Sequence, residues 1–125
     1  MRPDDLCPFC SEQEGCSHLF ISCPRTKSFW ASLSIDFSVM THVHDIEQLW
    51  IANPFLEPNQ RMRTTVLTCV LWNICKCRNA KVFRGEDETN AQISRRCYDD
   101  LRLWSHRCFS SSAKDKLIEW SSFFS

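Results

Sequence analysis

Glycine and proline are scarce in this chain of 125 residues, which contains two glycines and five prolines. A β-fold with many hairpins needs more of these turn-forming residues, so their shortage favours helices. The N-terminal segment MRPDDLCPFC lacks the apolar core of a secretory signal peptide. The longest apolar-leaning stretch, residues 66–75, is too short for a bilayer span, which requires about 20 residues. These absences predict an intracellular protein without a membrane span, in either the nucleus or the cytoplasm.

Net charge is also missing, because fifteen basic residues balance fifteen acidic ones. The chain as a whole therefore has no strong electrostatic attraction for nucleic acid or for an anionic membrane, and binding to either would require a local patch. Cysteine, in contrast, is abundant, with nine residues. In a reducing intracellular compartment, clustered cysteines are more often metal ligands than disulfide partners.

The N-terminal segment contains a metal-ligand pattern, Cys7-x2-Cys10-x7-His18-x4-Cys23. Thiolates and imidazole are preferred zinc ligands, and the x2 spacing lets two thiolates of one turn reach the same ion. Cys16 is an alternative to His18 as a ligand. Because four protein ligands leave no coordination position for an activated water, the pattern predicts one structural Zn²⁺ and no catalysis.

Hydrophobic periodicity predicts a mostly α-helical chain after this zinc knuckle. Apolar residues recur at three- and four-residue steps over 61–83, and Gly85 is a natural stop for that helix. Thr89 is a candidate cap for a second long helix that extends to about Phe109. The serine run 110–112 should break the second helix, and a last short helix is predicted from about Ala113.

The predicted elements divide the chain into three parts. Their boundaries are 1–33 for the zinc knuckle with a short helix, 34–58 for a connecting segment with another short helix, and 59–125 for a helical body containing the two long helices. We expect Phe29, Trp30 and Trp50 to join the knuckle to the helices.

The first long helix is the best candidate for a nucleic-acid surface. It carries six basic residues and no acidic ones from Arg61 to Arg84, and such a stripe can contact phosphates. The candidate contacts for weakly bound RNA or single-stranded DNA are Arg61, Arg63, Lys76, Lys81 and Arg84. The alternative is a solvated face that is balanced by the acidic residues that follow, which are Glu86, Asp87, Glu88, Asp99 and Asp100.

Arg78 occupies a different position on this helix. At about 100° per residue it falls among apolar positions such as Leu67 and Leu71. A buried guanidinium without a partner costs several kcal/mol, so we expect Arg78 to be a structural buried charge paired with Asp99 or Asp100.

Three segments resemble one known family, the third more loosely than the first two. The string CPFCSEQEGCSHLFISCPRTKSFW, residues 7–30, resembles the reverse-transcriptase zinc-binding domain of plant non-LTR retrotransposons. The shared features are the two-cysteine knuckle, an acidic spacer, His-Leu-Phe, Cys-Pro and a trailing Trp30. The string LWNICKCRNAKVF, residues 71–83, resembles the helix that follows this domain, although Cys75 stands where tryptophan is usual. A looser match is LRLWSHR, residues 101–107.

The resemblance implies a non-catalytic, retroelement-derived module of the zinc-finger type, with the four ligands named above. Contact with nucleic acid follows only by analogy with other zinc knuckles. The chain is too short to include a polymerase or endonuclease domain. The alternative function is a structural or protein-interaction helical domain in which zinc only stabilises the fold. A metal hydrolase that uses His42, His44 and Asp45 would require those side chains to converge on an open metal site.

Overall fold

The computed structural model describes residues 20, 23–35, 48–49, 51, 54–55, 57–108 and 110–124. Its helices are α1 (Pro24–Ser32), α2 (Gln60–Arg84), α3 (Asn90–Ser105) and α4 (Ser111–Phe123). These ranges contain no strand, and the prediction of a mostly α-helical chain is confirmed. The zinc-knuckle part of that prediction lies outside the described residues. None of the described helices combines the length and the apolar character that a membrane crossing requires.

Local capping signals fix both ends of α2. The helix begins after Asn59, whose side-chain oxygen accepts a hydrogen bond from the Met62 amide at 3.2 Å. It ends at Gly85, which has a left-handed conformation with φ of 65°, and the Gly85 amide donates to the Lys81 carbonyl at 3.1 Å. The prediction of a helix that stops at Gly85 is confirmed.

The start of α3 is also confirmed, whereas its predicted end is wrong. Thr89 and Gln92 form a reciprocal capping box at the start. The helix ends at Ser105, before the predicted end near Phe109. Beyond Ser105 the chain tightens into i→i−3 hydrogen bonds, from the Arg107 amide to the Trp104 carbonyl at 3.0 Å and from the Cys108 amide to the Ser105 carbonyl at 3.3 Å. Ser110 then caps α4 from an extended backbone conformation, with φ of −90° and ψ of 129°.

The core collects side chains from all four helices, with α3 packed most extensively on α4 and then on α2. Phe29 and Trp30 of α1 are both 1% exposed, which confirms that they pack against the helical body, while Trp50 lies outside the described part. The buried core residues are Phe29, Trp30, Leu33, Leu49, Phe55, Met62, Val66, Leu67, Cys69, Val70, Leu71, Ile74, Cys77, Ile93, Cys97, Leu101, Leu117 and Phe124.

One region of this core is built from aromatic rings in tilted and edge-to-face contact, which we name the aromatic cluster. Phe55 lies at its centre, with its ring centroid 6.3 Å from that of Trp30 and 5.7 Å from that of Trp120. The Trp120 contact is edge-to-face, with an interplanar angle of 87°. The members of the aromatic cluster are Trp30, Phe55, Trp120, Phe123 and Phe124.

A second region, which we name the polar cluster, joins α1, α2 and α3 by hydrogen bonds. The Arg96 guanidinium donates through Nε to Asn73 Oδ1 at 3.0 Å and forms an ion pair with Glu88. The fully buried Asn73 amide in turn donates to Asp100 Oδ2 at 3.0 Å. The members of the polar cluster are Arg25, Asn73, Glu88, Asn90, Arg96 and Asp100.

Candidate metal centre and nucleic-acid interface

Cys23 is the predicted zinc ligand that falls within the described residues. The other predicted ligands, Cys7, Cys10 and His18, lie outside them, as does the alternative ligand Cys16. Among the described residues, no group of three or more His, Cys, Asp or Glu side chains is placed to hold a metal ion. The zinc site therefore stays a prediction. The described feature that bears on it is the position of Cys23.

Cys23 lies immediately before α1 and is 0% exposed. Its backbone is extended, and Pro24 follows in the first helical position, where a missing amide hydrogen costs nothing. The Cys23 carbonyl accepts a hydrogen bond from the Lys27 amide at 2.8 Å, which fixes the residue on the first turn. The positive end of a helix dipole favours negative charge, and a metal-bound thiolate carries such charge. This position suits a zinc ligand.

Phe20 is a second residue of the N-terminal segment that contacts α1. Its carbonyl accepts a hydrogen bond from the indole Nε1 of Trp30 at 2.9 Å, and its ring packs against the core. Residues 20 and 23 are thus both held on α1, so the last part of the ligand pattern ends against the hydrophobic core.

Cys69 and Cys97 are fully buried between α2 and α3. The Sγ atom of Cys69 lies 3.6 Å from the Cys97 carbonyl oxygen. The pKa of the Cys69 thiol is raised by its side-chain hydrogen bond with Cys97 and by burial. A thiol with a raised pKa is a poor nucleophile, so Cys69 and Cys97 act as core side chains.

Two of the predicted nucleic-acid contacts are engaged in ion pairs. Lys81 Nζ lies 2.9 Å from Asp87 Oδ1, and Arg84 Nε lies 3.2 Å from Glu86 Oε1. Acidic side chains of the loop after α2 thus neutralise the C-terminal end of the predicted basic stripe. At this end of α2, the alternative stated above applies, because the surface is a solvated face whose basic charge is balanced by acidic residues.

The preceding turns of α2 present a different surface. Arg61 is exposed in the first turn, and Arg63 is partly buried. The Lys76 ammonium lies 5.6 Å from the ring centroid of Trp72, which is 54% exposed. Trp72 is a surface residue that the apolar pattern did not single out, although its helical angle, about 20° from that of Arg61, is a signal that could have found it. The apolar periodicity predicted over 61–83 ends on Phe83, and for this residue the prediction is wrong, since Phe83 is 74% exposed.

Arg78 is partly buried and lies at the edge of the buried face of α2. Its NH1 donates to the Asn79 side-chain oxygen at 3.3 Å. The buried face is centred away from Arg78 because it includes the fully buried Cys69 and Asn73, which contact α3. The aliphatic residues alone define a stripe on a different side of the helix, and this is why Arg78 was predicted to lie on the buried face.

The two aspartates considered as partners of that arginine have other roles. Asp99 forms an exposed ion pair with Arg95, one turn away on α3, at 3.5 Å. Asp100 accepts the hydrogen bond from Asn73 described above. The guanidinium with the most extensive partner set described is that of Arg96. Its signal was its place beside the apolar stripe of α3, immediately before a buried residue.

A buried carboxylate, that of Glu57, was also missed. Its Oε2 accepts from the Trp120 indole at 2.8 Å, its Oε1 accepts from the Asn59 amide at 3.2 Å, and Lys116 lies 3.4 Å away. The Trp120 hydrogen bond outweighs burial, which alone would raise the pKa, and with Asn59 and Lys116 it holds the pKa of Glu57 below its ordinary value of 4.5. No sequence signal reveals this residue, because Trp120 is 63 positions away.

Two kinds of interaction site emerge from the described residues. One is a buried thiol at the start of α1, and the other is a surface cation placed over an exposed tryptophan ring. The candidate hydrolase residues His42, His44 and Asp45 lie outside the described ranges. A scan against protein-family models, a search of curated proteins and a search of solved structures find no match for the chain.

Proposed function

We propose that the chain is a non-catalytic, retroelement-derived module in which one Zn²⁺ fastens the N-terminal residues to the helical core. Its ligands are Cys7, Cys10, His18 and Cys23. The observation that carries the proposal is the position of Cys23, which is fully buried directly before α1. Four protein ligands make the ion structural, since no open coordination position is left for a reaction.

The length of α1 explains why a metal at this point would matter. The helix has nine residues, and isolated helices shorter than about 12 residues are marginal in water. It depends on packing of Phe29 and Trp30 against the core, and a zinc-bound Cys23 would restrict its N-terminal end. Because a structural site does not exist in the unfolded chain, the free energy of metal binding adds to that of folding.

The module also binds single-stranded nucleic acid weakly, through α2. This part of the proposal is supported by the exposed Arg61, by the partly buried Lys76 beside the ring of Trp72, and by the absence of acidic residues from the α2 sequence. Weak affinity is expected because few cations remain after Lys81 and Arg84 are paired.

A second candidate function is a protein-interaction domain in which zinc only stabilises the fold. It is favoured by exposed apolar side chains near the C-terminal end of α2, namely Val82 and Phe83. Binding that weakens with added salt supports the nucleic-acid function, because phosphate contacts release counterions. Concentration-dependent association that salt leaves unchanged supports the second candidate.

The metal proposal is tested by elemental analysis of protein purified without added metal. We expect about one zinc per chain, the stoichiometry of a single four-ligand site, and its loss in Cys10→Ser and Cys23→Ser. Cys108→Ser is the matched control, because this partly buried thiol donates to the Trp104 carbonyl and a hydroxyl can do the same. Protein without zinc, or equal zinc in all four proteins, contradicts the proposal.

A further inference from the structure

We infer that Trp72 and Lys76 form a base-stacking site for single-stranded nucleic acid, an inference that rests on the nucleic-acid part of the proposed function. Trp72 is a large aromatic residue that leaves 54% of its surface in solvent. Lys76 follows one helical turn later, with its ammonium 5.6 Å from the ring centroid. A cation beside an exposed ring provides both elements of single-strand binding, a stacking surface and a phosphate contact.

Helical geometry extends this pair into a continuous surface. Arg61, Trp72 and Lys76 project within about 60° of one another around the α2 axis. Arg61 lies about 16 Å from Trp72 along the helix, at 1.5 Å per residue. The exposed Thr68 lies between them, and its hydroxyl donates to the Thr64 carbonyl at 2.8 Å. We name Arg61, Thr68, Trp72 and Lys76 the stacking face.

The charge distribution along α2 sets the direction in which a strand would run. At the C-terminal end, Asp87 and Glu86 pair with the two terminal cations, and the helix dipole is negative. At the N-terminal end the dipole is positive and Arg61 is exposed. The nearby acid Glu57 is buried and contacts Lys116, so it offers little repulsion. A polyanion on Trp72 should therefore extend towards Arg61.

A single strand fits this surface better than a duplex or a protein. Bases of a duplex are stacked on each other, whereas unpaired bases are free to stack on an aromatic ring. A protein-docking surface has a core of contiguous apolar side chains, whereas the exposed Trp72 is flanked by Thr68 and Lys76. The strand is therefore the occupant that the charges and the ring favour.

The test is binding of fluorescent oligo(dT) and oligo(U), measured by anisotropy over a salt series beginning at low ionic strength. We expect Trp72→Ala to weaken binding by about 5- to 150-fold, the range measured for loss of one stacked base. Trp72→Phe, which keeps a ring, should restore most of the affinity. Leu103→Ala is the matched control, because Leu103 is 51% exposed on another helix.

The cation is tested separately by the salt dependence. Lys76→Gln should reduce the slope of log K against log salt by about 0.7, the value for one phosphate contact on a single strand. Lys27→Gln, an exposed lysine of α1, should leave the slope unchanged. Trp72→Ala should lower affinity at every salt concentration with an unchanged slope.

Oligonucleotide binding that Trp72→Ala and Lys76→Gln leave unaltered overturns the stacking site. Absence of binding by the unmodified protein overturns both the site and the nucleic-acid function. Self-association that depends on Trp72, without oligonucleotide binding, also overturns it and assigns the face to protein contact. Zinc content measured on the same samples tests the metal proposal independently, so the two failures are distinguishable.

Discussion

In the polar cluster, α1, α2 and α3 are joined by directed hydrogen bonds from Arg25 and Arg96, whereas in the aromatic cluster Phe55 is packed between rings of α1 and α4. Ring burial is stabilising in proportion to the apolar area removed from water and depends little on orientation. The polar cluster instead depends on each donor having its acceptor, because an unpaired buried charge is costly. The two clusters should therefore fail in different ways.

Glu88 shows that the polar cluster tolerates little loss of hydrogen-bond donors. Its Oε2 accepts from Arg96, whereas its Oε1 is buried and, among the atoms that the structure describes, has no hydrogen-bond partner. Arg25 binds the Glu88 backbone carbonyl and the Asn90 side chain, which ties α1 to the same point. Removal of a single donor would leave the carboxylate without its described counter-ion.

The largest effect is expected in the aromatic cluster. Trp30→Ala should destabilise the protein by about 3–5 kcal/mol, since it removes a buried ring and the hydrogen bond to the Phe20 carbonyl. Trp72→Ala, on the exposed side of α2, should cost less than about 0.5 kcal/mol. Urea unfolding of both variants measures the difference. Equal losses of stability would show that Trp30 is not a core residue.

In the polar cluster, Arg96→Met should cost about 2–3 kcal/mol, because it leaves the Glu88 carboxylate, 12% exposed, without its counter-ion. The matched control is Arg95→Met on the same helix, whose ion pair with Asp99 is exposed and should contribute less than about 0.5 kcal/mol. Denaturant midpoints of the two variants provide the comparison. A smaller loss for Arg96→Met than for Arg95→Met contradicts the assignment.

The Glu57 carboxylate accepts a hydrogen bond from Trp120 of the aromatic cluster and should make the free energy of unfolding depend on pH. Its pKa is lower in the folded chain than in the unfolded chain, chiefly through the Trp120 hydrogen bond. Its contribution is therefore present above the ordinary pKa of 4.5 and is lost as the pH falls through the folded pKa. Thermal unfolding at pH 7 and pH 3 should show a smaller pH effect in Glu57→Gln than in the unmodified protein.

At pH 7 the same substitution should cost about 1–2 kcal/mol, as expected for weakened hydrogen bonds to a charged group. Glu119→Gln is the matched control, because this exposed carboxylate also lies near Lys116. It should change neither the stability at pH 7 nor the pH dependence. A Glu57→Gln variant with the full acid sensitivity of the unmodified protein would exclude Glu57 as its source.

The smallest effect is expected outside both clusters, at the end of α2. Gly85→Ala should cost about 1 kcal/mol, because φ is 65° and a side chain is strained there. No atom lies within 4 Å of the added Cβ, so backbone conformation is the whole cause. Gly85→Asn should cost less, since asparagine tolerates this conformation. An alanine variant as stable as the unmodified protein in urea would contradict this explanation.

The sequence-based predictions succeeded where the interactions are between neighbours in the sequence and failed where they join distant segments. Gly85 and Thr89 act on the few residues beside them, so the boundaries of α2 and the start of α3 could be predicted. The contact of Glu57 with Trp120 joins distant segments and leaves no periodic signal. The place of Arg96 beside the apolar stripe of α3 is a signal, but its partner Asn73 lies on another helix and could not be predicted from it. The exposed Phe83 was misplaced because an apolar residue was assumed to face the core.

For the candidate sites, spacing predicted the ligand role of Cys23, and its burial at the start of α1 fits that role. Composition predicted the basic character of α2 but not which of its cations are neutralised. That depends on Glu86 and Asp87, whose side chains return to α2 only because Gly85 turns the chain.

Hydrogen exchange of the zinc-loaded protein, followed by mass spectrometry with and without a chelator, tests whether zinc holds α1 on the core. We expect removal of the metal to accelerate amide exchange in α1 (Pro24–Ser32) by tenfold or more, since about 1.4 kcal/mol of local stability corresponds to a factor of ten. Exchange in α4 (Ser111–Phe123) should change much less. Exchange in α1 that is identical in the loaded and chelated protein would contradict the zinc-stabilised module.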